Sequence, residues 1–186
     1  MDKLPLDGIR VVDCTQAWAG PHCTERLADL GAETIKVEPS YGEVSRGGRN
    51  PVSGTYPKGE LGEKPWNRNS KFNAMNRNKL SVSLDLAKEE GKRLLKELVK
   101  ISDVVVDNYA AGIMDRLGVG YEELRKVKPD IIVASSNGYG PSGPWSRYHS
   151  YGVIQEPMCG FMALTGYIDD ETPYRSGVDH IDPLTG

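Results

Sequence analysis

Two carboxylates and an imidazole stand close together in the segment SGVDHIDPLTG, as Asp179, His180 and Asp182. Carboxylates serve as nucleophiles or general bases, and a carboxylate with an imidazole is also a metal-ligand pair. The bland alternative is a polar strand-to-helix turn in which Asp182 caps a helix starting at Pro183. Metal is disfavoured, because Asp179 and His180 are neighbours that diverge on a strand. On residue types alone the polar turn is the preferred reading. Cations form a second group: Arg77 and Lys79 in AMNRNKLSVSLDL, and Arg116 in the first turn of a helix following DNYAAGIMD. They suit an anion carrying phosphates through charge-assisted contacts, or an ordinary solvated face. Charge alone does not separate those two readings. The three cysteines, Cys14, Cys23 and Cys159, have neither C-x-x-C spacing nor a Cys/His comb, and read as reduced thiols with neither disulfide nor zinc.

These groups need elements to hold them. IRVVDCT (9–15), a helical HCTERLADLG and ETIKVEP (33–39) read as a βαβ unit with a parallel sheet. The next stretch, from Ser40 to Phe72, is too rich in Gly, Pro, Ser and charge for a regular element and reads as a surface excursion near a working site or a mobile one. LDLAKEEGKRLLKELVKISD predicts a helix with Asp85 as a possible N-cap and Leu94, Leu95, Leu98 and Ile101 on one side. DVVVDNY and DIIVASSNGYG read as further buried strands, with helical turns in GIMDRLGVGYEELRKVKP between them. YGVIQEPMCGFMALTG reads as a buried helix. The whole is α/β, a Rossmann-like, doubly wound, mostly parallel sheet. In such a sheet chemistry sits after the carboxyl ends of the strands, at the tips TQAWAGP, VEPS, DNYAAG, SNGYGPSGP and VDHID.

With 186 residues the chain has the length of one domain with a real core. A net charge of -3 supplies no basic field for nucleic acid. No apolar run has the length of a membrane span or a secretory leader, so the expected setting is cytosolic, with no membrane partner. The first βα turn, CTQAWAGP, lacks G-x-G-x-x-G, so no NAD or FAD site is expected and Glu38 reads as a helix-cap or salt-bridge residue.

Several ordered motifs together resemble the family III CoA-transferases, also called the CaiB/BaiF family. They are PLDGIRVVDCTQAWAGP, LADLGAETIKVEP, NRNKLSVSLDL, DVVVDNYAAGIMDRLGVGYEEL, GYGPSGPW and IDPLTG. The resemblance covers nearly the whole chain, least in 40–70. It implies the large-domain part of that fold, with residues 1–186 forming an N-terminal CoA-binding domain that ends at the nucleophile motif. The small domain and the C-terminal return of the family are then missing, and the chain is a truncated gene, an incomplete record or one piece of a split enzyme. The implied nucleophile is Asp182, which precedes Gly186 at the family's spacing, whereas Asp179 does not fit. The implied substrates are an acyl-CoA donor and a carboxylic acid acceptor, exchanged through an aspartyl anhydride and an aspartyl-CoA thioester, with coenzyme A as substrate and no metal. The implied assembly is an interlocked homodimer, or a pairing with a second chain that supplies the missing half.

The implied CoA-binding residues are Trp18 and Ala19 on the first strand tip, Leu84, Asp85, Leu86 and Ala87 along the nucleotide, and Asn108, Tyr109, Ala110 and Arg116 in the N-F-x-P-G-x-x-D-R pattern. His149, Ser150, Tyr151 and Gly152 are implied along the pantetheine. Tyr109 replaces the pattern's aromatic, Ala111 stands where proline is common, and Pro39 stands where some members place an arginine near the nucleotide. The family's racemases pair a histidine in G-H-D with the aspartate, but Ser150, Tyr151 and Gly152 occupy that segment and His149 lies one position early. Tyrosine is a poor base at neutral pH, which favours transfer over racemisation. Formyl-CoA/oxalate members carry glutamine at the place of Trp18 and tryptophan at the place of Gly48, so another acid is expected. Trp18, Trp66 and Tyr56 hint at a larger or more apolar acyl group. A CoA-binding or interaction module without activity of its own is the alternative reading, and an NAD-dependent oxidoreductase a distant third.

Overall fold

The computed structural model describes residues 3–39, 42–46 and 56–186. Five strands, β1 (Arg10–Asp13), β2 (Glu33–Glu38), β3 (Lys79–Ser83), β4 (Val104–Asp107) and β5 (Ile132–Ser135), form one parallel sheet in the order β3-β2-β1-β4-β5. Register is continuous across its centre: Val12 pairs with Ile35 on one side and Val105 on the other. Consecutive valines in β1 and β4 suit central strands covered on both faces.

Helix α1 (Ala19–Asp29) covers one face, over Val11, Ala32 and Val106 with Leu27 packed against them. Helices α3 (Glu89–Lys100) and α5 (Tyr121–Val127) cover the other, where Leu95, Val99 and Leu124 meet Val12, Val37 and Val105. Between them run the six-residue α2 (Ser70–Met75) and the one-turn α4 (Ile113–Arg116). The chain finishes with α6 (Gly152–Met158), a 3-10 turn at Phe161–Leu164 and α7 (Ile181–Thr185).

Three local expectations are corrected. Helix α3 starts after residue 88, because Leu84 and Leu86 are drawn into the core as a continuation of β3 and Asp85 spends its carboxylate on the Ala87 N–H at 3.1 Å, so that Lys88 stands at the N-cap. Its buried stripe is Gly91, Leu95 and Val99 rather than the expected leucine face, with Leu94 39% and Ile101 61% exposed. The segment 151–166 is not one buried helix. Pro157 lacks an N–H and Gly160 turns left-handed at φ 82°, so α6 stops and a 3-10 turn follows, leaving Ile154, Met158 and Leu164 exposed.

The polar excursion after β2 is partly regular. It holds 3-10 turns at Val44–Arg46, Pro57–Gly59 and Pro65–Asn67, and α2, capped by the Asn69 side chain on Lys71 N–H at 3.0 Å. Gly48 lies outside the described residues.

Candidate active site

The sheet changes direction between β1 and β4, since the chain winds outward through β2 and β3 on one side and through β5 on the other. Divergence of the two adjacent strand tips opens a crevice at that point. A cleft of about 380 Å³ occupies it. Gln16, Ala17, Trp18 and Ala19 come from the β1 tip, Asn108 to Ala111 from β4, Ser136 to Tyr139 from β5, and Tyr148 to Tyr151 with Asp182 close the far side.

The β1 tip is held from several directions. Asn108 Oδ1 accepts the Gln16 N–H and Asn108 Nδ2 donates to the Gln16 carbonyl, both at 2.8 Å. Gln16 Nε2 donates to the Tyr109 hydroxyl at 3.1 Å. Lys36 Nζ donates to the Thr15 carbonyl at 2.8 Å, and Glu43 Oε1 accepts the Ala17 N–H at 3.0 Å. Opposite, Gln155 Nε2 bridges the Gly138 carbonyl and Ser150 Oγ, tying the β5 tip to the segment 148–151.

Asp182 sits in the first turn of α7, not at its N-cap, a position taken by His180. It is half-buried. Burial, then the neighbouring Asp179 carboxylate, pushes its carboxyl above the ordinary aspartate value, while a hydrogen bond from the Gly152 N–H pulls the other way. Asp179 is engaged by Arg175 Nη2 at 2.9 Å. His180 is exposed and packs edge-on against Phe161, so it joins neither carboxylate through its ring. Glu156 anchors this segment from beneath: its Oε1 accepts the Ser176 hydroxyl at 2.6 Å and the His180 N–H at 3.3 Å. Its Oε2 is buried without a hydrogen-bond partner among the described residues.

The sequence-derived site residues divide accordingly. Trp18, Ala19, Asn108, Tyr109, Ala110, His149, Ser150, Tyr151 and Asp182 line one cleft, and Gly152 touches Asp182. Leu84, Asp85, Leu86 and Ala87 follow β3 instead, with both leucines in the core, and lie outside the lining, as does the exposed Arg116, which stands in the single turn of α4 as expected.

Of the two readings left open for Arg77 and Lys79, an anion site or a solvated face, the structure favours neither for Lys79 and finds both cations paired with carboxylates. Arg77 pairs with Asp29 and Glu25. The Lys79 side chain is buried, donating to Asp13 Oδ2 and the Pro21 carbonyl at 2.9 Å and to Thr24 Oγ1 at 2.8 Å. Glu38 is a salt-bridge residue with Arg46. Of the three aromatics expected near an acyl group only Trp18 lines the cleft; Tyr56 is buried elsewhere and Trp66 is on the surface. Residue-by-residue reading missed Gln16, Ala17 and Ser136 to Tyr139, although the strand-tip rule had marked their segments. Glu43 and Glu156 gave no signal, because the sequence does not show that a glutamate is buried.

Among the described residues, no group of three His, Cys, Asp or Glu side chains is placed to hold a metal, and no helix is long and apolar enough to cross a membrane. All three cysteines are free. The family model for CoA-transferase family III matches residues 6–186. The chain belongs to CoA-transferase family III. The mouse (Mus musculus) succinyl-CoA:glutarate CoA-transferase is 40% identical over 98% of this chain and 39% of its own length. The Acetobacter aceti acetyl-CoA:oxalate CoA-transferase is 39% identical over 99% of this chain and 44% of its own. A solved CaiB/BaiF family protein from Brucella suis superposes with a TM-score of 0.83 at 36% identity, over 98% of this chain and 47% of that one. This family III chain thus spans less than half the length of these relatives.

Proposed function

We propose that this chain carries the nucleophile and part of the CoA cleft of a CoA-transferase that moves coenzyme A from an acyl-CoA thioester to a carboxylic acid. The observation that carries the reading is the convergence of Asp182 with the β1 and β4 tips on one cleft in a family III chain. The Asp182 carboxylate attacks the thioester carbon and expels CoA thiolate, giving a mixed anhydride. The thiolate attacks the aspartyl carbonyl, releasing the donor acid and leaving an aspartyl-CoA thioester. The acceptor carboxylate attacks that thioester, and the released thiolate then takes the acceptor's acyl group, which frees Asp182. Splitting one difficult exchange into such steps is what covalent catalysis supplies.

The cleft supports these steps in two ways. Its walls carry backbone groups at the start of α1, whose positive dipole end favours the oxyanions formed at each tetrahedral stage. Asp182 must be ionised to attack, and the Gly152 N–H favours that form. Tyr151 and Gly152 stand where a racemase would need histidine and aspartate, which speaks for transfer. The interlocked homodimer and the cytoplasmic setting implied by the resemblance belong to the same proposal.

The test is intact-protein mass spectrometry after incubation with acyl-CoA thioesters and hydroxylamine, which converts activated aspartyl groups into a hydroxamate. The expected result is a hydroxamate at Asp182, absent in Asp182→Asn, which still binds CoA. Acyl transfer by Asp182→Asn would overturn the reading. CoA binding with no modification would favour a binding module that needs further chain to act.

A further inference from the structure

Glu43 is a fully buried carboxylate that the transfer chemistry does not use. It lies at the head of the Val44–Arg46 turn, on the segment that follows β2, yet it reaches the β1 tip. Its Oε1 accepts the Ala17 N–H at 3.0 Å and its Oε2 accepts the Ser45 hydroxyl at 2.5 Å. Ala17 is one of the few described residues other than glycine with a positive φ, at 66°. A β-carbon disfavours that left-handed conformation, so it persists only where the surroundings impose it. The residues before it are anchored separately, Thr15 by Lys36 and Gln16 by Asn108. Directly after it comes Trp18, which enters α1 and lines the cleft.

We infer that Glu43 is a positioning residue that holds Ala17 in its left-handed turn and thereby places Trp18 in the cleft wall. Both carboxylate oxygens are engaged, and Ser45 on the second one fixes the direction in which the first one points. Glu43 thus takes part in shaping the cleft without lining it. The consequence for ligand binding rests on the CoA reading proposed above, whereas the clamp on Ala17 does not.

Four versions of the chain test this: wild type, Glu43→Ala, Glu43→Gln and the double variant Glu43→Ala with Ala17→Gly. Hydrogen exchange of the Ala17 amide and the NMR signal of the Trp18 indole N–H report the clamp, and CoA titration reports the cleft. In wild type and Glu43→Gln, which keeps an oxygen for the amide, the Ala17 N–H should be protected. In Glu43→Ala it should exchange freely, the Trp18 signal should move, and CoA should bind roughly tenfold more weakly, the scale of one lost hydrogen bond. Glycine takes a positive φ without penalty, so the double variant should recover the Trp18 signal and most of the CoA affinity. A Glu43 that merely filled space would show no such rescue. Unchanged Ala17 exchange in Glu43→Ala, or a double variant no better than the single one, overturns the inference. Should Glu43→Ala not fold, Glu43→Gln decides alone, and free exchange of its Ala17 amide overturns the inference. Normal clamp behaviour in a chain that binds no CoA would leave the inference standing and sink the CoA reading.

Discussion

Gly152 and Asp182 are in close contact: a β-carbon at position 152 would stand 3.2 Å from the Asp182 Cγ and Oδ2 and 2.8 Å from the Asp179 Cβ, so both side chains would have to give way. Gly152→Ala should therefore shift Asp179 and Asp182 and disturb the hydrogen bond that Asp182 receives from the position 152 amide. We expect a stability loss of about 1–3 kcal/mol, the usual cost of overpacking, with loss of hydroxamate trapping. Thermal unfolding and the trapping assay on the same sample check both.

The pH dependence of trapping should report the carboxylate pair. Burial and Asp179 raise the Asp182 carboxyl, so the acid limb should lie above the ordinary aspartate range, with activity gained as pH rises through it. The same raised value means that the folded chain holds this proton more tightly than the unfolded one. Its contribution to stability is greatest at low pH and is lost as pH rises through that window. Asp179→Asn removes the like charge and should move the acid limb down. Arg175→Ala unpairs Asp179 and should move it up. Limbs that do not move in opposite directions would count against this account.

Lys79 and Asp13 form a buried pair with side chains 1% and 0% exposed. Burial raises the Asp13 carboxyl, but the Lys36 and Lys79 ammonium groups outweigh it and hold the net value below ordinary. Its share of stability is therefore present above the ordinary aspartate value and lost as pH falls through the lowered folded one. Lys79→Met leaves a buried aspartate with one cation fewer and should cost about 3–5 kcal/mol. Double substitution of Lys79→Met with Asp13→Asn should recover part of that loss in denaturant titrations.

Glu156 ties the segment before α7 to α6 through Ser176 and the His180 N–H. Glu156→Ala removes both contacts and should lower stability and slow trapping at Asp182. Glu156→Gln keeps an acceptor and should lie near wild type, as judged by chemical unfolding and trapping rate together.

The alternation of valine-rich strands and amphipathic stretches made the parallel sheet legible, because β1 and β4 are buried on both faces and admit little but apolar residues until Asp13 and Asp107. The cleft was legible as strand tips, a consequence of topology rather than of any one motif. What stayed hidden was burial of charge. Lys79 and Arg77 have the composition of an anion site, yet their carboxylate partners lie 66 and 48–52 positions away, on the end of β1 and on α1, and are found only when the chain folds. Likewise Leu94 and Ile101 carry a helical apolar spacing as regular as that of Leu95 and Val99, and only the direction of the sheet decides which stripe is covered.

Helix α7 packs against α1, and Gly186 lies so near that a β-carbon on it would stand 2.3 Å from the Ala19 carbonyl oxygen. The nucleophile candidate is thus brought to the β1 tip by a contact between segments more than 160 positions apart in the sequence, made by a five-residue helix. Contacts of that separation carry a large loop-closure cost and form late, and short docked helices open at a lower free energy than a sheet core. A shift of α7 would move the carboxylate while every strand stayed paired, so under the reading proposed above the geometry around Asp182 answers to the docking of one helical turn as well as to the stability of the sheet.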